Sequence, residues 1–214
     1  MIGAAACWTA LAVVVAGFLA GAAPADPPAG DADRRVLVTT VDQPITPVIA
    51  NHLDDGVDRA ESGAYDAFVV RLDTPGGLDS SMRAIIQRCL AAEVPVVVYV
   101  SPDGARAASA GALITFAAHV AAMAPGTAIG ASTPVDLEGG DVERKIVNDA
   151  AALAESIARV RDRDVDFAVD TVREGRSASA AQAVELGAVD LLARSLPDLL
   201  DDASSTPDPT RRTP

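Results

Sequence analysis

The chain alternates between short, dense apolar runs and longer segments whose apolar residues recur every three or four positions. The runs "VLVTTV" (36–41), "AFVVRLDT" (67–74) and "VPVVVYVS" (94–101) have the β-branched density of buried strands. Between them, "TPVIANHLDDGVDRAES" and "LDSSMRAIIQRCLAAE" carry helical spacing, the first with Pro47 at a first-turn position. Strand, helix, strand, helix, strand predicts an α/β fold: a mostly parallel sheet wrapped by helices, in a single domain that starts near Arg34.

After the third strand, the loop "PDGARAA" leads into an apolar run that predicts a helix from about Ala108 to Ala122, stopped by Pro125 and Gly126. An acidic, Gly-containing segment, "GASTPVDLEGGDVER", follows, and then helical patterns from Lys145 to about Glu174. In "SASAAQAVELGAVDLLA", Ser179 and Gln182 are spaced as a capping box, ahead of a helix, a stop at Gly187 and a short strand. The domain is therefore expected over residues 35–200, behind a Pro/Gly/Asp linker (26–34) and ahead of a disordered tail (201–214).

The first charged side chain is Asp26, so residues 1–25 read as a signal peptide with cleavage after Ala25, or as an N-terminal membrane anchor where the segment is kept. Either reading exports the rest of the chain to an extracytoplasmic place. The net charge of -13 and the lack of basic clusters exclude nucleic acid as a partner. Of the two cysteines, Cys7 lies in the leader and Cys89 in an expected core-facing helix position, which leaves no disulfide framework and no cysteine metal site within one chain. Nothing in the sequence calls for a cofactor.

Candidate chemistry centres on "ARAASAGALITFAAH" (105–119), where Ser109 stands alone in alanine and glycine at the expected start of a helix. Unpaired N–H groups and the positive end of the helix dipole favour a developing negative charge there. A nucleophilic serine needs a base. His119 falls ten residues along the same expected helix, roughly 15 Å away at 1.5 Å per residue, and His52 reads as a solvated surface residue. Sixteen of the 17 basic residues are arginine, and the one lysine is Lys145. An amine can be moved toward neutrality and accept a proton, whereas a guanidinium stays charged. The third element is the strand exit Asp73-Thr74-Pro75-Gly76-Gly77. It is either an ordinary tight turn or, with the N–H of Ala110, an oxyanion hole built from Gly76 and Gly77.

The segments "LDTPGG", "ASAGALITFAAHVAAMAPGTAIGASTP", "ERKIVND" and "AVELGAVDLLA", covering roughly residues 35–195, resemble the NfeD family of membrane-associated, ClpP-class serine proteases. The resemblance implies the ClpP/crotonase-like fold and a Ser-Lys dyad, with the nucleophile carried onto Ser109 and the base onto Lys145. ClpP's own histidine would fall near "AIGASTP", where none stands, which favours lysine over a Ser-His-Asp triad. It further implies cleavage of hydrophobic peptide segments of membrane proteins, stomatin-like partners among them, and assembly into a homo-oligomer. The alternative is a non-catalytic peptide-binding module that keeps the fold. A crotonase-like acyl-CoA enzyme is disfavoured by the lack of a basic patch for the CoA phosphates.

Overall fold

The chain was studied as a computed structural model, which describes residues 35–135 and 143–205. All of them fall in one unit beginning at Arg34. The leader, the linker and the last nine residues of the tail lie outside the described residues.

The first half follows the sequence pattern. Strand β1 (Val36–Val41), helix α1 (Pro47–Ser62), β2 (Ala67–Leu72), α2 (Asp79–Ala91) and β3 (Val96–Val100) come in the expected order. Thr46 caps α1 by accepting from the Ile49 N–H, and Pro47 stands at its first turn, where a missing N–H costs nothing.

The next stretch departs from expectation. Arg106–Ala108 is a strand (β4), helix α3 spans only Ala110–Ala117, and the end of the expected helix, Val120 to Ala122, lies in strand β5 (Val120–Met123). An uninterrupted apolar run does not distinguish buried helix from buried strand. The break is decided by tertiary contacts: Ala118 turns extended (φ -63°, ψ 151°), and two arginines take the last helix carbonyls. Arg161 Nε donates to Ala117 O (2.8 Å), while Arg163 donates to Phe116 O and Ala118 O (both 3.0 Å).

Strand β6 (Ala128–Gly130) follows. The helical patterns expected after Lys145 are helices α4 (Arg144–Val160) and α5 (Val165–Arg173), the second capped by Asp164. Strand β7 (Ser177–Ser179) precedes α6 (Ala180–Glu185), whose N-terminus carries the expected Ser179–Gln182 capping box. The chain ends in β8 (Leu191–Leu192) and α7 (Leu196–Ser205). Asp201–Ser205, expected to be disordered tail, thus belongs to a helix, because Leu199 is completely buried and Leu196 and Leu200 pack beside it.

The main sheet has the order β1-β2-β3-β5-β8, all parallel, and a second sheet has the order β4-β6-β7. Successive right-handed crossovers that add strands in one direction put their helices on one face. That face holds the larger core, with Phe68, Val70 and Leu72 of β2 against Leu53, Ile85 and Ile114. The alternate residues, Val69, Val97 and Tyr99, form a smaller core under α7.

His119 immediately precedes β5 and does not lie on a helix continuing from Ser109. Its backbone N–H donates to Val96 O (2.9 Å) and its Nδ1 accepts from Val96 N–H (3.1 Å), at the amino edge of the sheet. Ser109 belongs with the carboxyl edge, so His119 is excluded as its base by topology. Burial, helped by the Arg161 charge, pushes the imidazole down to about 4. The unfolded chain therefore binds more protons between pH 6.5 and 4, and this contribution to stability is lost as pH falls through that window. In urea unfolding, His119→Asn, which keeps an acceptor for Val96 N–H, is expected to show a shallower loss of stability from pH 6.5 to 4 than the wild type. Parallel pH profiles would rule the effect out.

The other histidine, His52, meets Thr39 Oγ1 through Nε2 (2.7 Å) at an exposed site. Cys89 is buried in the core, and burial pushes its thiol up to about 12, leaving it inert.

Candidate active site

Three backbone segments converge at the carboxyl edge of the main sheet. Thr74, just past β2, is fully buried and organises the first. Its hydroxyl donates to Gln43 O (2.9 Å) and lies 3.2 Å from Gly76 O, and it accepts from Gly76 N–H (3.2 Å). Ile45 holds the same turn from the other side, its N–H on Gly76 O (2.8 Å) and its carbonyl accepting from Leu78 N–H (2.9 Å). A Cβ on Gly77 would stand 2.1 Å from Ile45 O, so the approach of the two backbones excludes any side chain there.

The second segment is β4, Ser109 and α3. Thr74 N–H donates to Arg106 O (2.8 Å) and Ala108 N–H to Thr74 O (3.1 Å), which sets β4 directly against the Thr74 turn. Ser109 sits between strand and helix at φ 54°, ψ -118°, a conformation that costs a non-glycine residue of order 1–3 kcal/mol. Tertiary bonds hold it: Ser109 N–H donates to Gly130 O (2.9 Å), and its carbonyl accepts from Ala112 N–H (3.0 Å) and Ser132 Oγ (3.1 Å). A sharp strand-to-helix turn of this kind lifts a serine hydroxyl clear of its own backbone. Gly76 faces it, since a Cβ there would lie 2.7 Å from Ser109 Cβ, and its φ of 118° is itself a glycine conformation.

The third segment, Ala131–Val135, follows β6, with Ser132 N–H anchored on Thr171 O (2.7 Å). Together the segments bound a groove of about 520 Å³ with Ser109, Ala110, Gly77 and Ser132 at its polar centre. Ile45, Leu78, Met82, Leu113, Val135 and Ala150 supply apolar walls.

Of the residues singled out by sequence, Ser109, Gly77 and Ala110 line this groove together. Ala110 opens α3, so its N–H has no acceptor within the helix. Gly77 N–H makes no hydrogen bond with the described residues, whereas Gly76 N–H is engaged by Thr74 Oγ1. Gly76 therefore shapes the turn, and of the two glycines only Gly77 keeps an N–H without an acceptor among the described residues. Lys145 is not brought to Ser109: its side chain is 77% exposed on the first turn of α4, with Nζ 2.7 Å from Glu143 Oε2. Thr74 and Ser132, which fix the Gly-Gly turn and the serine's carbonyl, were not identified from sequence. Each is a small hydroxyl residue shortly before a proline, an ordinary loop signature, and only the buried hydrogen bonds reveal a role.

Among the described residues no three metal-ligating side chains cluster and no helix is long and apolar enough to cross a membrane.

The chain is 35% identical over 174 residues to Membrane-bound protease PH1510 of Pyrococcus horikoshii, an alignment that takes in 79% of this chain and 40% of that protein. It thus spans less than half the length of that curated relative. Among solved structures, it resembles a serine-to-alanine mutant of 1510-N membrane-bound stomatin-specific protease with a TM-score of 0.78 at 32% identity, over 81% of this chain and 86% of that one. A lysine-to-alanine mutant of 1510-N in complex with a substrate peptide matches with a TM-score of 0.76 at 33% identity, over 79% and 80% of the two chains. The ClpP-like fold read from sequence is the fold of these structures. The family model for the NfeD1b N-terminal domain matches residues 35–198, and the chain belongs to that family.

Proposed function

We propose that this chain is a serine endopeptidase domain that cleaves extended apolar peptide segments, with Ser109 as nucleophile and Lys145 as base. The observation that carries the reading is Ser109 itself, held in a strained strand-to-helix turn in an apolar groove beside the N–H groups of Gly77 and Ala110. Lysine takes the serine proton as Oγ attacks the scissile carbonyl, and the two N–H groups hold the oxyanion. The same lysine protonates the leaving amine. Water, deprotonated in turn, hydrolyses the acyl-enzyme. The apolar walls suit a hydrophobic segment of a membrane protein, and the solved 1510-N relatives, named as stomatin-specific, favour a stomatin-like one. Residues 1–25 serve as signal peptide or membrane anchor for a domain that works outside the cytoplasm, as a homo-oligomer.

The test is covalent. Incubated with an alkyl fluorophosphonate, the full-length chain is expected to gain one adduct, mapped by peptide mass spectrometry to Ser109. A chain that binds apolar peptides yet takes no adduct would instead be the non-catalytic peptide-binding module. The exposed Lys145–Glu143 pair is the observation that favours that second reading.

Thr74 gives a further expectation. Thr74→Val keeps the volume and removes the hydroxyl from Gln43 O, Gly76 O and Gly76 N–H. Loss of these bonds is expected to destabilise the chain by about 1–3 kcal/mol. It also loosens the donor turn, lowering kcat by about 10- to 100-fold with KM little changed. Thr74→Ser should restore most of the rate, and equal rates in the valine and serine variants would deny the hydroxyl this role.

A further inference from the structure

The face of the main sheet turned away from α1–α3 carries a second cavity that shares no residue with the Ser109 groove. Strand alternation puts Arg71, Tyr99 and Ser101 on this face, beside Val69 and Val97. Helix α7 covers only part of it. At the carboxyl ends of β2, β3 and β5 there remains a crevice of about 500 Å³, roofed by Arg194, Ser195 and Leu196 at the entry to α7. This volume lies within the usual range of about 300–1,000 Å³ for small-molecule sites.

Its chemistry points to an anion. Arg71 and Arg194 both line the crevice, and neither makes an ion pair with a described residue, although acidic residues outnumber basic ones 30 to 17 in this chain. Ser101 is 4% exposed and its Oγ has no hydrogen-bond partner, a state that costs about 1–3 kcal/mol unless something else bonds it. The Tyr99 hydroxyl is engaged by Ala193 O (2.8 Å), so the crevice wall receives its ring and not its hydroxyl. One carboxylate, Asp103, also lines the crevice. Asp198, on the first turn of α7, adds a second negative charge near Tyr99, so the crevice suits a monoanion better than a dianion, and a guanidinium fork fits a carboxylate with two parallel hydrogen bonds.

We propose that this crevice binds a carboxylate attached to a small apolar body, gripped by Arg71 and Arg194 with Ser101 as a further donor. A free carboxylic acid and the C-terminus of a peptide offer the same chemistry. The site stands independently of any role for Ser109.

The experiment follows backbone amide NMR signals of the full-length chain during titration with four probes: N-acetyl-leucine, N-acetyl-leucine amide, the tripeptide acetyl-Ala-Ala-Leu with a free C-terminus, and inorganic phosphate. Saturable shifts are expected at Ser101–Gly104 and Arg194–Leu196 with the free acid, at least tenfold weaker with the amide. Arg194→Gln, at an exposed position, and Arg71→Gln are each expected to weaken binding at least tenfold, and Asp103→Asn to strengthen it several-fold. A tripeptide that binds as tightly as N-acetyl-leucine identifies a peptide terminus as a competent source, and one that does not bind restricts the site to free acids. Equal binding of acid and amide, tighter binding of phosphate than of carboxylate, or binding undiminished in Arg194→Gln would overturn the proposal.

Discussion

Ser109→Ala is expected to lower kcat for a fluorogenic apolar peptide by at least about 10³-fold, with the melting temperature unchanged or raised. The removed Oγ makes no hydrogen bond within the described residues, and alanine has no greater difficulty than serine with the positive φ. Lys145→Arg is expected to be as slow, since it preserves the charge and removes the ability to accept a proton. The double variant should be no slower than either single one, because two residues acting as one unit do not contribute additively. Lys145 currently faces Glu143, so the energy needed to turn it inward decides whether the base assignment is physically sound. The pair is exposed on both sides, 77% and 65%, and ion pairs of this kind are worth about 0–1 kcal/mol. Helix α4 reaches the groove through Ala150, five residues on from Lys145, about 7.5 Å along the axis and about 140° around it, so bringing Nζ to Ser109 requires the first turn of α4 to move as well as the side chain. Releasing Glu143 is itself a small cost beside the roughly 4 kcal/mol that a 10³-fold rate represents, and the base assignment turns on the movement of the helix end. Glu143→Gln, which frees the ammonium, is expected to leave activity unchanged or raise it up to tenfold. A Lys145→Arg variant with wild-type turnover would assign the residue to the surface pair and leave Ser109 without this base.

The sequence carried the alternating first half because each of those strands and helices is specified locally, by β-branched density or by 3.6-residue spacing with a proline or threonine at the start. It also carried Ser179–Gln182 and Gly187, whose roles are settled within a few residues. It failed between Ala108 and Met123, where alanine, glycine and apolar residues satisfy either structure and long-range bonds from Arg161 and Arg163 make the choice. For the site the division is similar. The serine, the Gly-Gly turn and the helix N-terminus were legible as types of residue at telling positions. That Gly77 and not Gly76 offers its N–H depends on one buried threonine hydroxyl, and that Lys145 rests on Glu143 depends on a rotamer; neither leaves a mark on the sequence.

Arg163 is the position where the largest loss of stability is expected. Its side chain is 1% exposed, yet it is fully charged, and three of its nitrogens are engaged: Nε by Phe116 O, one terminal nitrogen by Ala118 O and the other by Asp190 Oδ2, each at 3.0 Å. Asp190 in turn accepts from Ala121 N–H (2.7 Å), so the pair ties the end of α3, the start of β5 and the approach to β8 together. Asp190 is 37% exposed and can return to water, so the loss falls chiefly on the Phe116 and Ala118 carbonyls left without a donor, about 2–4 kcal/mol in all. Arg163→Met retains the apolar stem, so packing is largely preserved and the loss reports the hydrogen bonds and the charge. At about 2–4 °C per kcal/mol for a domain of this size, the melting temperature should fall by roughly 10 °C. Arg161→Met is the internal comparison: it gives up bonds to Ala117 O and Cys89 O, Arg161 has no carboxylate partner among the described residues, and the change should cost no more than half as much. A fall below about 3 °C for Arg163→Met, or one no larger than that of Arg161→Met, would mean that water replaces the guanidinium at the helix end, and that the α3-to-β5 break is held by the surrounding core alone.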